Sequence, residues 1–370
     1  MSIRLFKPNV RATSISAVAD VLRSGWIGMG PKTQEFEKSF ASYVGAQRCV
    51  AVNSCTAALH LSLRVLDLPE GAEVITMANT FVSTNHVILY ERLKPVFADI
   101  NPRTGNLDPA SVESKINPNT GAIIVMHYGG YPCDLDEFYA LGKRYNIPII
   151  EDCAHACGST YHGRPIGSNE SLQAFSFDPT KNLTSGEGGA ITCALAEQEV
   201  RLRRLRYLGM DRDSFGRYEN RSDAPRSEYD VHELGFRYHM NDMQAAIGLS
   251  QMEYIDQDNA RRKEIAQKYS SLLADVPGLN MLERLDDRES SNFLFCVLAD
   301  NRNALAAKLA ENGVATAVHF RRNDTYSMYE EAYLPSTEYF CSHALSLPMH
   351  TLLTDDEVEF ICKIIREGWL

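Results

Sequence analysis

The stretch from Ile147 to Gly189, IPIIEDCAHACGSTYHGRPIGSNESLQAFSFDPTKNLTSGEGG, decides how the rest of the chain is read. Ile147 to Ile150 is a short apolar run of the kind that forms a buried strand. It delivers Glu151 and Asp152 to the carboxyl end of that strand, where open α/β sheets place their ligands. A second apolar stretch, Ala174 to Phe177, leads through Asp178, Pro179 and Thr180 into Lys181. Gly186, Gly188 and Gly189 follow, and they let the backbone turn tightly beside whatever Lys181 holds. A carboxylate and an amine in this setting are the two groups that pyridoxal phosphate chemistry requires, one for the pyridine nitrogen and one for a Schiff base.

Four motifs extend this reading: AVNSCTAALHLSL from Ala51, EDCAHACG from Glu151, FSFDPTKNLTSGEGGAI from Phe175 and MNDMQAAIGLSQ from Met240. Together they resemble the DegT/DnrJ-type sugar aminotransferases, which are fold type I pyridoxal phosphate enzymes. The resemblance runs from Ser24 to the helix after Asn241 and is looser beyond. It implies an α/β fold: a large cofactor-binding domain, residues 1–258, with a mostly parallel central sheet between helices, and a smaller C-terminal α/β domain, residues 259–370. A length of 370 residues suits two such units.

Composition narrows the field. A net charge of -11 argues against nucleic acid or an anionic membrane surface as partner, since both attract a basic field. The opening MSIRLFKPNVRATS lacks the apolar core of a signal peptide, and no segment approaches the roughly 20 apolar residues of a membrane span, so a cytoplasmic protein is expected. Nine irregularly spaced cysteines fit reduced thiols better than a disulfide framework. Cys153, His155 and Cys157 alternate too closely to wrap a tetrahedral zinc ion, and no second ligand pair has suitable spacing; no metal is expected.

Taken in order, the chain alternates helical and strand-like segments. Thr13 to Leu22 and Thr33 to Tyr43 carry helical spacing of apolar residues, and the glycine-punctuated loop between them holds Trp26 and Ile27. That loop reads as a packed connector or, by the resemblance, as a segment lining the sugar pocket. A strand at Cys49 to Val52 meets Asn53, Ser54, Cys55 and Thr56 before a helix, Ala57 to Leu66. A helix N-terminus there would offer free N–H groups and a positive dipole end, so the cofactor phosphate is assigned to Cys55 and Thr56. An ordinary Ser/Thr cap would look the same. Relatives commonly carry glycine where Cys55 stands, a change that a backbone contact survives. Glu73 to Met77, Pro95 to Ala98 and Ala122 to Val125 are further strands of a doubly wound sheet.

The resemblance also supplies roles. It puts Asp152 against the pyridine N–H, His155 against the ring or its phenolic oxygen, Phe81 on the ring face and Ser176 on the phosphate. Lys181 becomes the Schiff-base amine and proton shuttle. A subset of relatives has histidine there and performs dehydration, so Lys181 argues for transamination. Arg201, Arg203, Arg204, Arg206, Arg212, Arg217, Arg221 and Arg226 are solvated charges or, around a loop from Asp211 to Asp230, arms toward a partner's site. Many relatives have Asn-Tyr-Arg where this chain has Arg237, Tyr238 and His239, which makes Arg237 the candidate for a phosphate contact across a homodimer. Asn241 and Gln244 suggest a capping box.

Beyond Asn259, the pattern suggests a helix from Ala260 to Leu273, a strand at Phe293 to Leu298, a helix from Arg302 to Asn312, a strand at Val314 to Phe320 and a final helix, Asp355 to Ile365. His319 and Arg321 close the second strand, either as a basic surface turn or facing the sugar. The expected reaction moves an amino group from L-glutamate to a keto sugar, foremost a nucleotide-linked 4-keto-6-deoxyhexose, in amino-sugar biosynthesis for a surface polysaccharide such as lipopolysaccharide or for a natural product. Another keto sugar (a 3-keto nucleotide sugar, a cyclitol or a keto-octulosonate), a sugar dehydratase and a non-catalytic regulatory homologue stay open.

Overall fold

A computed structural model describes residues 2–211 and 229–369. Its centre is a seven-stranded sheet of β1 (Arg48–Val52), β2 (Glu73–Met77), β3 (Lys94–Ala98), β4 (Thr120–Met126), β5 (Ile149–Asp152), β6 (Leu172–Ser176) and β7 (Gly189–Cys193), in the order β1-β7-β6-β5-β4-β2-β3. The pairs β3-β2-β4-β5-β6 are parallel, and β7 runs antiparallel to both neighbours. The mostly parallel sheet is therefore as expected. β7 departs from the turn that Gly186, Gly188 and Gly189 suggest; Gly189 is needed for close approach instead. A Cβ there would lie 2.5 Å from the backbone of Ser54, so the strand can press against the turn after β1 only without a side chain.

Helices cover both faces: α1 (Ala12–Ser24), α2 (Pro31–Val44), α3 (Cys55–Arg64), α4 (Val82–Tyr90), α5 (Pro109–Glu113), α6 (Leu135–Tyr145), α7 (Ala196–Leu205) and α8 (Asp242–Met252). The capping box of Asn241 and Gln244 forms at the start of α8. Asp242, the first residue of that helix, reaches across to the N-terminus of α2, where its carboxylate accepts from the N–H groups of Gly30, Lys32 and Thr33 and from the Thr33 hydroxyl. Arg201 and Arg203 of α7 and Arg206 just beyond it pair within the chain: Arg201 with Asp67 and Glu233, Arg203 with Glu199 and Glu37, and Arg206 with Glu37. Arg212, Arg217, Arg221 and Arg226 lie outside the described residues.

A second core gathers α9 (Ile255–Leu273), α10 (Arg302–Glu311) and α12 (Asp355–Arg366) around an antiparallel sheet of β8 (Leu279–Met281), β9 (Phe295–Ala299) and β10 (Ala344–Leu347), while α11 (Pro335–His343) buries Phe340 against Tyr128 in the first core. The N-terminus joins the second core, since Ile3 is buried there and bridges Val314. The strand expected at Val314 to Phe320 does not form. Isolated bridges join Val314 to Ile3 and Ala317 to Ser346, after which His319 Nδ1 hydrogen-bonds the Ser346 hydroxyl and Phe320 N–H donates to Asn79 Oδ1, so side chains replace the ladder. Phe293 and Leu294 likewise leave the strand expected of them, because Leu294 N–H turns to Gly129 and the Phe293 ring stacks on His155. No helix among the described residues is long and apolar enough to cross a membrane.

Glu37 of α2 is a buried charge away from the sheet ends. Burial pushes its carboxyl up, but Arg206 and Arg203 overcome this and hold it below its ordinary value. Arg206 also donates to Ala51 O, so the pair anchors β1 just before the turn that carries Cys55. Removing one partner of a buried pair strands the other charge. Glu37→Ala is expected to lower stability by about 3 kcal/mol or more in urea denaturation. Because the folded value is depressed, the wild-type advantage should be complete above the ordinary carboxyl range and fade only as pH falls through the lowered one.

Candidate active site

Strand alternation sends the neighbours Glu151 and Asp152 to opposite sides of β5. Glu151 enters a closed network: Tyr139 and Ser171 donate to one oxygen, and His127 Nε2 lies 3.1 Å from the other. The second nitrogen of His127 accepts from Cys133 N–H, which fixes the neutral tautomer with the proton on Nε2. Burial raises the Glu151 carboxyl, and these donors bring it below its ordinary value. Cys153 also lies near His127 and Glu151, but all of the carboxylate's partners are already in place.

Asp152 points the other way, into a cavity of about 360 Å³ at the carboxyl ends of the parallel strands. Its oxygens accept from Thr84 Oγ1 at 2.7 Å and from Ala154 N–H at 3.1 Å. Here burial wins and pushes the carboxyl above its ordinary value, with Thr84, Ala154 and Lys181 opposing. Lys181 follows a turn closed by its own N–H to Asp178 O at 3.0 Å. Its ammonium lies 4.2 Å from the Phe293 ring centre and forms no ion pair among the described residues. Burial lowers its affinity for a proton, while Asp178, Cys55 and Asp152 oppose.

The turn after β1 forms a third wall. Ser54 is the N-cap of α3, its hydroxyl accepting from Ala57 N–H, so Cys55 and Thr56 are the first two helical residues. Their N–H groups have no partner within the helix and border the cavity, as does Ser176 at the end of β6. The Cys55 thiol feels two opposed effects: a helix N-terminus favours a thiolate, while burial and Asp152 disfavour it. Burial prevails and holds the thiol well above its ordinary value.

Aromatic rings close the remaining side. Phe6 stacks on Phe293 at 5.4 Å, Phe293 on His155 at 4.2 Å and His155 on Phe320 at 5.9 Å. Phe81, the residue before α4, stands 6.1 Å from Phe320 with its ring exposed at the cavity edge. Burial, then Lys181, keeps His155 neutral, and the same causes lower His319 to about 4.

Cys55, Thr56, Phe81, Asp152, His155, Ser176, Lys181 and His319 thus share one cavity. Arg321 does not join them, since its guanidinium bonds Thr325 and lies over the Tyr326 ring. Trp26 donates to Met29 O, and the exposed Ile27 and Arg237 also lie off the cavity within one chain. Sequence reasoning missed Thr84, Phe293 and Phe6. A threonine beside Phe81 and phenylalanines far from Lys181 in sequence carry no local signal of a shared site.

The DegT/DnrJ/EryC1/StrS aminotransferase family matches residues 8–366. This chain belongs to that family. The spore coat polysaccharide biosynthesis protein SpsC of Bacillus subtilis (strain 168) is 37% identical over 373 residues, 97% of this chain and 95% of its own. The sugar aminotransferase CalS13 of Micromonospora echinospora superposes with a TM-score of 0.92 at 35% identity, over 99% of this chain and all of the other. Spr1654 of Streptococcus pneumoniae, solved in PLP and PMP forms, superposes in the PLP form with a TM-score of 0.91 at 31% identity, over 99% of this chain and 98% of the other. The protein is a pyridoxal phosphate-dependent sugar aminotransferase of fold type I. The cavity fits that cofactor, offering a buried carboxylate, an amine without an ion-pair partner among the described residues and the first N–H groups of a helix, which have no partner within that helix.

The Cys55 thiol tests the electrostatics of this site directly. Iodoacetamide should modify it in apoprotein at pH 8 at least about tenfold more slowly than free cysteine, whose ordinary value near 8.5 leaves a sizeable thiolate fraction. Peptide mass mapping over time would measure the rate.

Proposed function

We propose that this aminotransferase transfers the amino group of L-glutamate to a nucleotide-linked 4-keto-6-deoxyhexose in amino-sugar biosynthesis. The observation that carries the chemistry is that Asp152, at the end of β5, and Lys181, in the turn after β6, face one cavity while Glu151 is sealed behind the sheet. The choice of a sugar acceptor follows the family; a polysaccharide pathway is supported by the name of SpsC.

In this reading Asp152 holds the pyridine nitrogen, the first turn of α3 at Cys55 and Thr56 with Ser176 holds the phosphate, Phe81 covers the ring face and His155 packs against the ring as a neutral imidazole. When bound, the cofactor supplies a carbonyl that carries the amino group and an electron-poor ring that accepts the electrons released at the reacting carbon. Lys181 is first the covalent anchor. Once displaced, Nζ takes the α-proton of glutamate and, in the second half-reaction, delivers a proton to the former keto carbon of the sugar. Burial of Lys181 suits both roles, because it raises the share of neutral amine near neutral pH.

A homodimer in the cytoplasm completes the reading. Among the described residues no arginine lines the cavity, and in this reading Arg237 reaches the cofactor phosphate of a neighbouring copy, while Trp26, Ile27, His319 and Arg321 act on the sugar.

The absorption spectrum tests the core of this proposal. Purified wild type is expected to be yellow, to bleach on addition of L-glutamate and to regain colour with the keto sugar as amino sugar forms. Lys181→Ala should show none of these changes, and turnover should fall by at least about 10³-fold. A wild type that bleaches but aminates no nucleotide-linked keto sugar would reject the acceptor. One that removes a sugar hydroxyl without consuming glutamate would be a dehydratase.

A further inference from the structure

Asp152 meets the cavity with a hydroxyl relay behind it. Thr84 Oγ1 lies 2.7 Å from Asp152 Oδ2, and Thr80 Oγ1 lies 2.8 Å from Thr84 Oγ1. All three side chains are at most 2% exposed. Each hydroxyl has a single proton. With Asp152 ionised, Thr84 must donate to the carboxylate and can then only accept from Thr80. The relay is therefore polarised toward Asp152, and Thr80 leaves the Met126 sulfur, 2.9 Å away and a weak acceptor, without its proton.

Thr84 has a cheaper local alternative that it does not use. A helical threonine commonly bonds back to a carbonyl of its own helix or caps the first turn. Here the N–H of Thr84 closes the first turn on Phe81 O, while the hydroxyl turns away from α4 to β5. Together with the Ala154 N–H on Oδ1, it grips the carboxylate by both oxygens, fixing its plane and leaving each oxygen a further lone pair.

We infer that Thr84, backed by Thr80, is a positioning residue for the cofactor: it holds Asp152 ionised and oriented toward the ring nitrogen. The inference rests on the reading of Asp152 as the partner of that nitrogen. A hydrogen bond to a buried charged group is a large enough effect to measure in binding.

The test compares pyridoxal phosphate with its deaza analogue, in which carbon replaces the ring nitrogen, by titrating each into cofactor-free full-length protein. Thr84→Val removes only the hydroxyl and is expected to weaken pyridoxal phosphate binding about tenfold, while the analogue binds within about twofold of wild type. Thr84→Ser should restore binding, and Thr80→Val should weaken it about threefold. Analogue binding also reports that each variant is folded. Equal loss for both ligands would make Thr84 a packing residue only and overturn the inference; so would no loss for either. Asp152→Asn separates the two levels. If it abolishes the preference for pyridoxal phosphate while Thr84→Val leaves that preference intact, the role of Asp152 stands and that of Thr84 falls. If Asp152→Asn keeps the preference, the reading of Asp152 fails, and the inference fails with it.

Discussion

A carboxylate in a dry interior must be matched by donors or by a cation, and residues 151 and 152 meet that constraint in opposite ways. Glu151 is satisfied by the protein itself, through Tyr139, Ser171 and His127, and its charge is locked into the sheet. Asp152 is only half satisfied, which keeps it poised above its ordinary proton affinity until a positively charged ligand arrives. One strand therefore carries both a permanent structural charge and a charge reserved for chemistry. Much of the surrounding architecture serves this split: β6 brings Ser176 alongside, β7 pins the turn at Ser54, and α4 supplies Thr84.

The parts of this arrangement that were legible in the sequence are those set by local pattern. Apolar runs ending in Glu151, Asp152 and Ser176 read as strand ends because a buried strand needs uninterrupted apolar residues. The start of α3 and the capping box of Asn241 were readable because caps are short-range chemistry. Val314 to Phe320 misled for the same reason. Its residues suit a strand, but the hydrogen bonds of His319 and Phe320 go to the side chains of Ser346 and Asn79, which no local pattern shows. The Gly188–Gly189 pair misled in the other direction: glycine read as freedom, whereas at Gly189 it answers the nearness of another backbone.

The wall opposite Asp152 illustrates a further limit. Phe293, His319 and Phe320 come from far along the chain and join the core of the large sheet, where Phe293 and Leu294 are buried, Leu294 N–H donates to Gly129 O, and Asn182 donates to both Asn259 and Ser291 O. These are long-range pairings between segments without shared periodicity, so they become visible only in three dimensions. The carboxylate of the site belongs to the sheet, whereas the shape of the space above it belongs to segments from far along the chain that pack onto the same core.

The ring column has a temporal corollary. Phe6, His155, Phe293 and Phe320 come from the beginning, the middle and the last quarter of the chain, yet they stack as neighbours. Closing loops of that length is entropically slow, and contacts so distant in sequence form late. During synthesis, a nascent chain would already possess Lys181 and Asp152 while one side of their pocket was still unmade. The reactive amine would meet water before it met its aromatic wall. Competence to retain a cofactor should therefore arise as one of the last acts of folding, once both chain ends have docked.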